Sequence, residues 1–467
     1  QMVIAVRREA RRVEGKGLAS AGAGVLAGRA RAALPYTLTS DQDRSLAEIV
    51  ADLAAPRPMQ RLLLGDVGSG KTVVAALAAL HVVEAGHQAA FMAPTEILAR
   101  QHAATLARIC EPAGVAVAAL TGSTPAAERR SLAARLAAGE PMIVAGTHAL
   151  IVEKVQLPGL ALAIVDEQHR FGVQQRAKLA RKAVLPDVLV LTATPIPRTL
   201  MLAFYGDLEV SRLAAKPAGR GRLVTRVAGE EKMPQVMEFL ARELAGGRQA
   251  YWVTPLIEEG GKSEAKAAEA EFERLRAHPL LRRHTLGLLH GRLKPDEKQE
   301  VMGRFAAGEI ALLVATTVIE VGVDVPNATV LVVRDAERFG LTQLHQLRGR
   351  IGRGAHRSVC VLTAGTGVAG RARERLALMT TTEDGYVLAE ADLRLRGPGE
   401  MWGTLQSGLP RLKLADLAQD QRILEQAQRA AAALAERDPR LSGLEQQPLR
   451  AALLARYPAP LEIALAG

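Results

Sequence analysis

The feature that most constrains the fold is a glycine-rich segment, Gly65–Thr72, which reads G-x-x-x-x-G-K-T. It follows the apolar run Arg61–Leu64 and opens the helix-like stretch Val73–Glu84. Between a strand and a helix, such a turn lets backbone N–H groups surround phosphate oxygens, and the positive end of the helix adds to the attraction. The segment therefore predicts an α/β domain that binds phosphate. The loop residues are Gly65, Gly68, Ser69 and Gly70.

Four side chains around this loop suit phosphoryl transfer to water. We expect Lys71 to neutralise phosphate charge and the Thr72 hydroxyl to bind Mg²⁺. A second apolar run, Leu160–Val165, leads directly into Asp166 and Glu167. Because the carboxyl ends of parallel strands meet at one edge, we expect Asp166 to bind the same Mg²⁺ and Glu167 to polarise the attacking water.

Short apolar runs alternate with helix-like stretches along most of the chain, which predicts two consecutive α/β domains with parallel sheets. The strands are predicted at Arg61–Leu64, Ala89–Ala93, Met142–Ala145, Leu160–Val165 and Val188–Thr192, then at Ala250–Thr254, Ile310–Ala315, Ala328–Val333 and Ser358–Thr363. The predicted boundaries are a basic helical lead-in at 1–34, domains at 35–215 and 223–382, a linker at 216–222 and a C-terminal module at 383–467. That module ends in an alanine-rich helical tail, Asp416–Glu436.

Composition narrows the class of protein. Lys and Arg total 60 against 49 Asp and Glu, an excess that suits a partner rich in phosphate. Two cysteines are too few for a disulfide framework or a four-cysteine zinc site. No apolar run is long enough for a membrane helix, and the charged start does not resemble a secretory signal, so we expect a cytoplasmic protein. Because the chain begins at Gln1 on a basic segment, we also expect that an N-terminal region is missing from this sequence.

The second predicted domain contains an arginine-rich segment, Gln346–Arg353. Arg350 and Arg353 are placed to act as arginine fingers, reaching a γ-phosphate when the cleft between the domains closes. A solvated surface or a simple phosphate-binding patch are the other interpretations of the segment.

Together these segments resemble the core of a superfamily-2 helicase, which has two RecA-like domains. Thr192-Ala193-Thr194 resembles the motif that couples ATP to nucleic acid, and Val321-Gly322-Val323-Asp324 resembles the fifth motif. Narrower similarity is to the RecG family, and it lies in Leu34-Pro35-Tyr36, Asp166–Val173, Thr194–Thr199 and Ala336–Leu341. Transcription-repair coupling factors, the related translocases, usually have D-E-E-Q at the carboxylate motif, so Gln168-His169 favours RecG.

The resemblance implies roles for further residues and implies ATP and Mg²⁺ as cofactors. Tyr36 and Gln42 would contact adenine, and Gly322 and Asp324 would complete the nucleotide site. The residues implied in coupling are His169, Thr192, Thr194 and Gln346. Those implied in binding the DNA backbone are Pro94, Thr95, Thr121, Gly122, Gly146, Thr147 and His148. The translocation motif would comprise Arg394, Arg396, Gly397, Gly399, Glu400 and Gln406, together with small residues around them.

The implied function is that of an ATP-dependent DNA helicase or translocase, which remodels stalled replication forks and recombination junctions in DNA repair and recombination. Its implied partners are double-stranded and branched DNA and a single-stranded-DNA-binding protein, and it would act as a monomer. An aromatic content of 3% leaves few residues for stacking on bases, so contact with the duplex backbone is expected.

The sequence departs from the family pattern at several positions. Leu405 stands where the translocation motif usually has a basic residue, Leu64 replaces a usual Gln, and Arg334-Asp335 replace a usual Glu-Asn. Only residues 1–33 precede the core, where RecG-like proteins have an oligonucleotide-binding wedge domain, so we expect the wedge to be missing from this sequence.

Three other functions fit part of the pattern. A coupling-factor-like translocase would need a polymerase-binding domain, and no segment resembles one. A non-hydrolysing DNA-binding scaffold would not need Lys71, Glu167, Arg350 and Arg353, all of which are present. An RNA helicase shares the nucleotide motifs, and only the resemblance to the translocation motif favours DNA over RNA.

Overall fold

The computed structural model describes residues 1–6, 9, 17–147, 150, 155–166, 186–195, 197, 201, 208–214, 221–255, 262–317, 324–365, 368, 370–396 and 420–456. The chain divides into two compact units, residues 1–216 with 398–467 and residues 217–397. Each unit contains one parallel sheet, which confirms the predicted fold class. No helix in the described ranges is both long and apolar enough to cross a membrane.

The first unit is built on seven strands in the order β3-β4-β2-β5-β6-β1-β7, and every pair is parallel. The strands are β1 (Gln60–Gly65), β2 (Gln88–Met92), β3 (Val117–Leu120), β4 (Ile143–Gly146), β5 (Leu160–Asp166), β6 (Asp187–Thr192) and β7 (Glu209–Leu213). The helices are α1 (Val25–Ala32), α2 (Ser40–Leu53), α3 (Lys71–Glu84), α4 (Glu96–Cys110) and α5 (Ala126–Ala137).

The central strands of this sheet are apolar at successive positions because helices cover both faces. In β5, Leu162 and Ile164 belong to the core formed with α3, whereas Ala163 and Val165 pack with Leu132 of α5 on the other face. Helix α3 is itself almost fully buried, which explains why its sequence is apolar around its whole circumference.

The carboxyl group of Asp187, the first residue of β6, is buried. The backbone N–H of Met59 donates to Asp187 Oδ1 at 2.6 Å, and the Ser20 hydroxyl donates to Oδ2 at 3.2 Å. Burial raises the pKa of Asp187 to about 7 despite these hydrogen bonds. The carboxyl group thus joins β6 to β1 and to the segment before α1.

This burial makes the stability of the first unit depend on pH. The pKa of Asp187 is higher in the folded chain than the usual 3.8, so its contribution is greatest at low pH and is lost as pH rises from about 4 to about 7. We expect Asp187→Asn to leave stability at pH 4 nearly unchanged and to raise it at pH 8 by about 3 kcal/mol. Denaturant unfolding at both pH values measures this, with the exposed Glu128→Gln as the control. Equal effects of Asp187→Asn at the two pH values would contradict the assignment.

The second unit has six parallel strands in the order β10-β11-β9-β12-β13-β8. They are β8 (Leu223–Gly229), β9 (Gln249–Val253), β10 (Leu286–Leu289), β11 (Leu312–Ala315), β12 (Ala328–Val333) and β13 (Ser358–Ala364). The helices are α6 (Met233–Ala245), α7 (Lys262–Ala277), α8 (Pro295–Ala306), α9 (Leu341–Arg348), α10 (Gly370–Thr381) and α11 (Gly385–Arg396).

The divisions of the chain differ in part from the predicted boundaries. The break between Lys216 and Pro217 falls inside the predicted linker. Helix α11, however, belongs to the second unit, because Leu388 is buried in the same core as α9 and α10. The predicted C-terminal module began before this helix, at residue 383.

The C-terminal helices α12 (Gln421–Arg437) and α13 (Gln447–Arg456) belong to the first unit. Helix α12 overlaps the predicted alanine-rich tail. Its residues Ala431 and Ala435 form a small core with Ala5 and Val6 from the beginning of the chain. The two ends of the described chain are therefore in contact.

Candidate nucleotide and DNA sites

The glycine-rich loop joins β1 to α3, as predicted. Gly70 has a left-handed backbone (φ 87°), and any Cβ there would collide with the Gln42 amide, so only glycine fits. No side chain caps the start of α3, and the N–H groups of Val73 and Val74 in its first turn donate to the Gly70 carbonyl. The positive end of this helix faces the loop, as a phosphate site requires. The Lys71 ammonium group donates to the carbonyl oxygens of Gly65 at 2.8 Å and Asp66 at 3.0 Å. The lysine is thereby held inside the loop.

Gln42 connects the segment before α2 to this loop. Its Oε1 accepts a hydrogen bond from the Thr39 N–H at 2.8 Å, and its Nε2 donates to the Ser69 carbonyl at 2.8 Å. The side chain is thus fixed and buried beside the loop, and its contact with adenine stays a prediction. Tyr36 is half exposed, and partial burial raises the pKa of its hydroxyl.

The carboxyl ends of β1, β6 and β5 are neighbours in the sheet. Leu64, the residue before the glycine-rich loop, pairs with Thr192 of β6, and Leu191 pairs with Asp166 of β5. With strands about 4.8 Å apart, Asp166 lies roughly 10 Å from the loop across one intervening strand. The Thr192 hydroxyl accepts the N–H of Thr194 at 3.1 Å, so it shapes the turn between them.

Asp166 has a partner that the sequence did not indicate. Nε2–H of His102, on α4, donates to Asp166 Oδ2 at 2.8 Å, and both side chains are about 85% buried. The His102 ring also contacts the ring of Phe91 on β2, with 4.4 Å between the centroids. Thus α4 and β2 together hold one oxygen of this carboxylate.

The predicted DNA-backbone residues follow the other three neighbouring strands of the same edge. Thr121 and Gly122 come after β3, Gly146 and Thr147 lie at the end of β4, and Pro94 and Thr95 come after β2. The carboxyl edge of this sheet therefore has one half lined by these residues and one half lined by the nucleotide motifs.

The loops after β2 and β3, which carry the predicted DNA-binding residues, are held by hydrogen bonds that the sequence did not indicate. Thr95 caps α4 by accepting the Leu98 N–H, and the following residue, Glu96, accepts a short hydrogen bond from the Ser123 hydroxyl. That bond holds the pKa of Glu96 below its usual value. The Arg129 guanidinium donates to the carbonyl oxygens of Thr121 and Gly122, each at 2.8 Å. The loops are thus preformed.

In the second unit, two of the predicted nucleotide residues form an ion pair. Arg353 Nη1 lies 3.3 Å from Asp324 Oδ1, and Arg353 Nε donates to the Gly349 carbonyl at 3.0 Å. Both Arg350 and Arg353 lie close enough to Tyr251 to lower its pKa, although burial outweighs them and raises it to about 12. The arginine loop, residues 349–353, therefore lies close to Tyr251 on β9.

The third arginine of this segment, Arg348, is buried and structural. It donates to the carbonyl oxygens of Met379 and Thr382, each at 3.0 Å, at the end of α10. It also bonds His345 at 3.1 Å, and the His345 ring lies against Gly385, the first residue of α11. Arg348 thus links α9 to α10, and His345 lies between α9 and α11.

Several predicted residues lie outside the described part of the chain, so their positions stay predictions: Glu167, His169, His148, Gly322, Gly397, Gly399, Glu400, Leu405 and Gln406. Of the translocation motif, Arg394 lies on the exposed face of α11, where its Nε donates to the Glu390 carbonyl at 3.4 Å, and Arg396 is the last residue of that helix. Thr72 follows Lys71 in the first turn of α3, and Gln346 lies on α9.

Three known families match successive parts of the chain. The DEAD/DEAH box helicase family matches residues 39–202, and the helicase conserved C-terminal domain matches residues 231–355. The C-terminal part of domain 3 of the ATP-dependent DNA helicase RecG matches residues 382–455. The chain is RecG-like. The first two matches alone would have identified only a helicase.

Individual RecG proteins are similar over most of this chain. The ATP-dependent DNA helicase RecG of Synechocystis sp. is 50% identical over 91% of the chain and 50% of the relative. That of Bacillus subtilis is 49% identical over 87% of the chain and 59% of the relative. A solved structure of RecG bound to a three-way DNA junction is 42% identical, with a TM-score of 0.74 over 91% of this chain and 56% of that one. The chain thus spans about half of the length of these RecG proteins.

Proposed function

We propose that this chain is the motor part of an ATP-dependent DNA helicase that remodels branched DNA. Its relatives are named ATP-dependent DNA helicase RecG, and one solved RecG structure is bound to a three-way DNA junction. The observation that carries the proposal is the carboxyl edge of the first sheet. Three neighbouring strands end in nucleotide motifs, and the next three end in hydroxyl, glycine and proline residues suited to a phosphate backbone. Nucleotide and DNA would then contact one rigid sheet.

In the proposed hydrolysis, the glycine-rich loop and the first turn of α3 bind the phosphates through backbone N–H groups. Lys71 stabilises the charge on the β- and γ-phosphates, and Glu167 orients the attacking water. Arg350 and Arg353 contribute from the second unit by stabilising the transition-state charge.

Mg²⁺ fits the oxygen donors at this edge. Thr72 supplies a hydroxyl in the first turn of α3, and Asp166 supplies a carboxylate at the end of β5. Oxygen ligands of this kind, with water and phosphate completing the shell, are what Mg²⁺ prefers. The bound ion would contribute electrostatic stabilisation of the phosphoryl group.

The partners that we propose follow from the same family. They are double-stranded and branched DNA and a single-stranded-DNA-binding protein, with the motor acting as a monomer in the cytoplasm. A coupling-factor-like translocase and a non-hydrolysing scaffold are not favoured, because residues 382–455 match RecG itself.

The proposal is tested by measuring which nucleic acid stimulates ATP turnover. A three-way DNA junction, a plain DNA duplex and a single-stranded RNA should be compared at equal nucleotide concentration and salt. We expect the junction to give the highest turnover and RNA the lowest. Equal or greater stimulation by RNA would reject a DNA motor, and a lack of ATP turnover under every condition would favour the scaffold.

The mode of DNA binding provides a second test. Because the candidate contacts are to phosphates, affinity for duplex should fall by about 10²-fold or more between 50 and 200 mM salt. Affinity should change less than threefold among duplexes of scrambled sequence, because phosphate contacts carry no sequence information. Fluorescence anisotropy with labelled duplexes measures both quantities. Strong preference for one duplex at fixed salt would reject backbone binding.

A further inference from the structure

The hydrogen bond between His102 and Asp166 involves one of the two side chains that would bind Mg²⁺. Nε2–H of His102 binds Oδ2, and the described part of the chain offers no hydrogen-bond donor to Oδ1. One oxygen of the carboxylate is therefore held by protein, and the other remains for a metal ion or a metal-bound water.

His102 is itself held in place from two directions. Its position in the middle of α4 fixes its backbone, and its ring lies against the Phe91 ring, tilted by 37°. Phe91 lies on β2, which pairs directly with β5. Because His102 is constrained in this way, it can determine the orientation of the Asp166 carboxylate.

The position of His102 also separates it from the parts of the site already described. Among the described residues, the side chain of His102 interacts with Asp166 and Phe91, and α4 begins at Glu96, six residues earlier. An effect of His102 on nucleotide should therefore pass through Asp166.

We propose that His102 is a positioning residue for the metal site: it holds Oδ2 of Asp166 so that Oδ1 is presented to Mg²⁺ bound with ATP. The proposal rests on the proposed function, since it requires that the chain binds Mg²⁺-nucleotide. Side chains that hydrogen-bond a metal ligand commonly change metal affinity or activity by about 10–100-fold when they are lost.

Two substitutions separate the hydrogen bond from the packing. His102→Phe keeps a ring against Phe91 and removes the donor. His102→Gln loses the ring and retains an N–H donor that reaches the former position of Nε2. His87→Phe, in the turn before β2, is the matched control for replacing a histidine by phenylalanine.

The measurement is equilibrium binding of a non-hydrolysable fluorescent ATP analogue with and without Mg²⁺, which requires no turnover. The dissociation constant without Mg²⁺ divided by the constant with Mg²⁺ gives the factor by which Mg²⁺ strengthens nucleotide binding. We expect His102→Phe to reduce this ratio about 10–100-fold with little change in metal-free binding, and His102→Gln to stay within about threefold of the unaltered chain. The Mg²⁺ concentration that half-saturates ATP turnover should rise in parallel.

A double-mutant cycle covers the case in which His102→Phe unfolds. In an Asp166→Asn background, His102→Gln and His102→Leu should give the same ratio, because their effect passes through the carboxylate. A ratio for His102→Phe equal to that of the unaltered chain, or different ratios for Gln and Leu in that background, would overturn the positioning role. Failure of the unaltered chain to bind the analogue at all would instead reject the proposed function.

Discussion

Replacing Lys71 by alanine is expected to lower DNA-stimulated ATP turnover by about 10³-fold. The ammonium group is held inside the loop by the carbonyl oxygens of Gly65 and Asp66, so it is in position before phosphate arrives. A preorganised charge of this kind stabilises the transition state without reorganisation, which is why its loss is costly. The same variant should also bind nucleotide more weakly, because the lysine contacts phosphate in the ground state too.

The measurement is steady-state ATP hydrolysis at saturating duplex DNA, together with binding of a fluorescent nucleotide. Lys266→Ala, on the exposed surface of α7, serves as the matched control and should keep full activity. Thermal unfolding shows whether the Lys71 variant remains folded. Retention of more than a tenth of the turnover by a folded Lys71→Ala variant would mean that the loop is not the catalytic phosphate site.

The second large effect is expected at Arg353. Arginine fingers accelerate phosphoryl transfer by about 10³–10⁵-fold, so Arg353→Ala should reduce the turnover number by at least 10³-fold. Because Arg353 belongs to the second unit and is paired with Asp324, its loss should change nucleotide affinity less than tenfold. Arg353→Lys should not restore activity, since a lysine lacks the planar fork of a guanidinium.

A large loss of turnover with little change in nucleotide affinity would distinguish an arginine finger from an arginine with a structural role. Arg304→Ala, on the exposed face of α8, is the control. If Arg353→Ala lowered affinity and turnover equally, the residue would contribute to ground-state binding instead. If neither changed, the segment would be the solvated surface that its sequence also allowed.

Whether a strand could be predicted from the sequence depended on where it lies in its sheet. All nine predicted apolar runs are strands in the structure. Four strands were missed, β3, β7, β8 and β10, and each of them lies at an edge of its sheet. Two of them, β7 and β8, mix polar and apolar residues because edge strands are partly exposed, as in E-V-S-R-L of β7. The other two, β3 and β10, are apolar but only four residues long, V-A-A-L and L-G-L-L, and their side chains are partly exposed.

The candidate site shows a similar division. The glycine-rich loop and Asp166 could be located from sequence, because their spacing and the preceding apolar runs are specific. His102, Arg129 and the structural role of Arg348 could not, because each acts through a partner at least seven residues away in the chain. The bridge from Gln42 to Ser69 was missed for the same reason, although Gln42 itself was identified by resemblance.

The connection that Arg348 and His345 make between α9, α10 and α11 has a mechanical consequence for the proposed motor. The arginine loop lies at the end of α9, and α11 ends at the beginning of the translocation motif. Arg348 donates to the Met379 and Thr382 carbonyls at the end of α10, the His345 ring lies against the first residue of α11, and the three helices share an apolar core. A movement of the arginine loop is therefore expected to move the last turn of α11 with it.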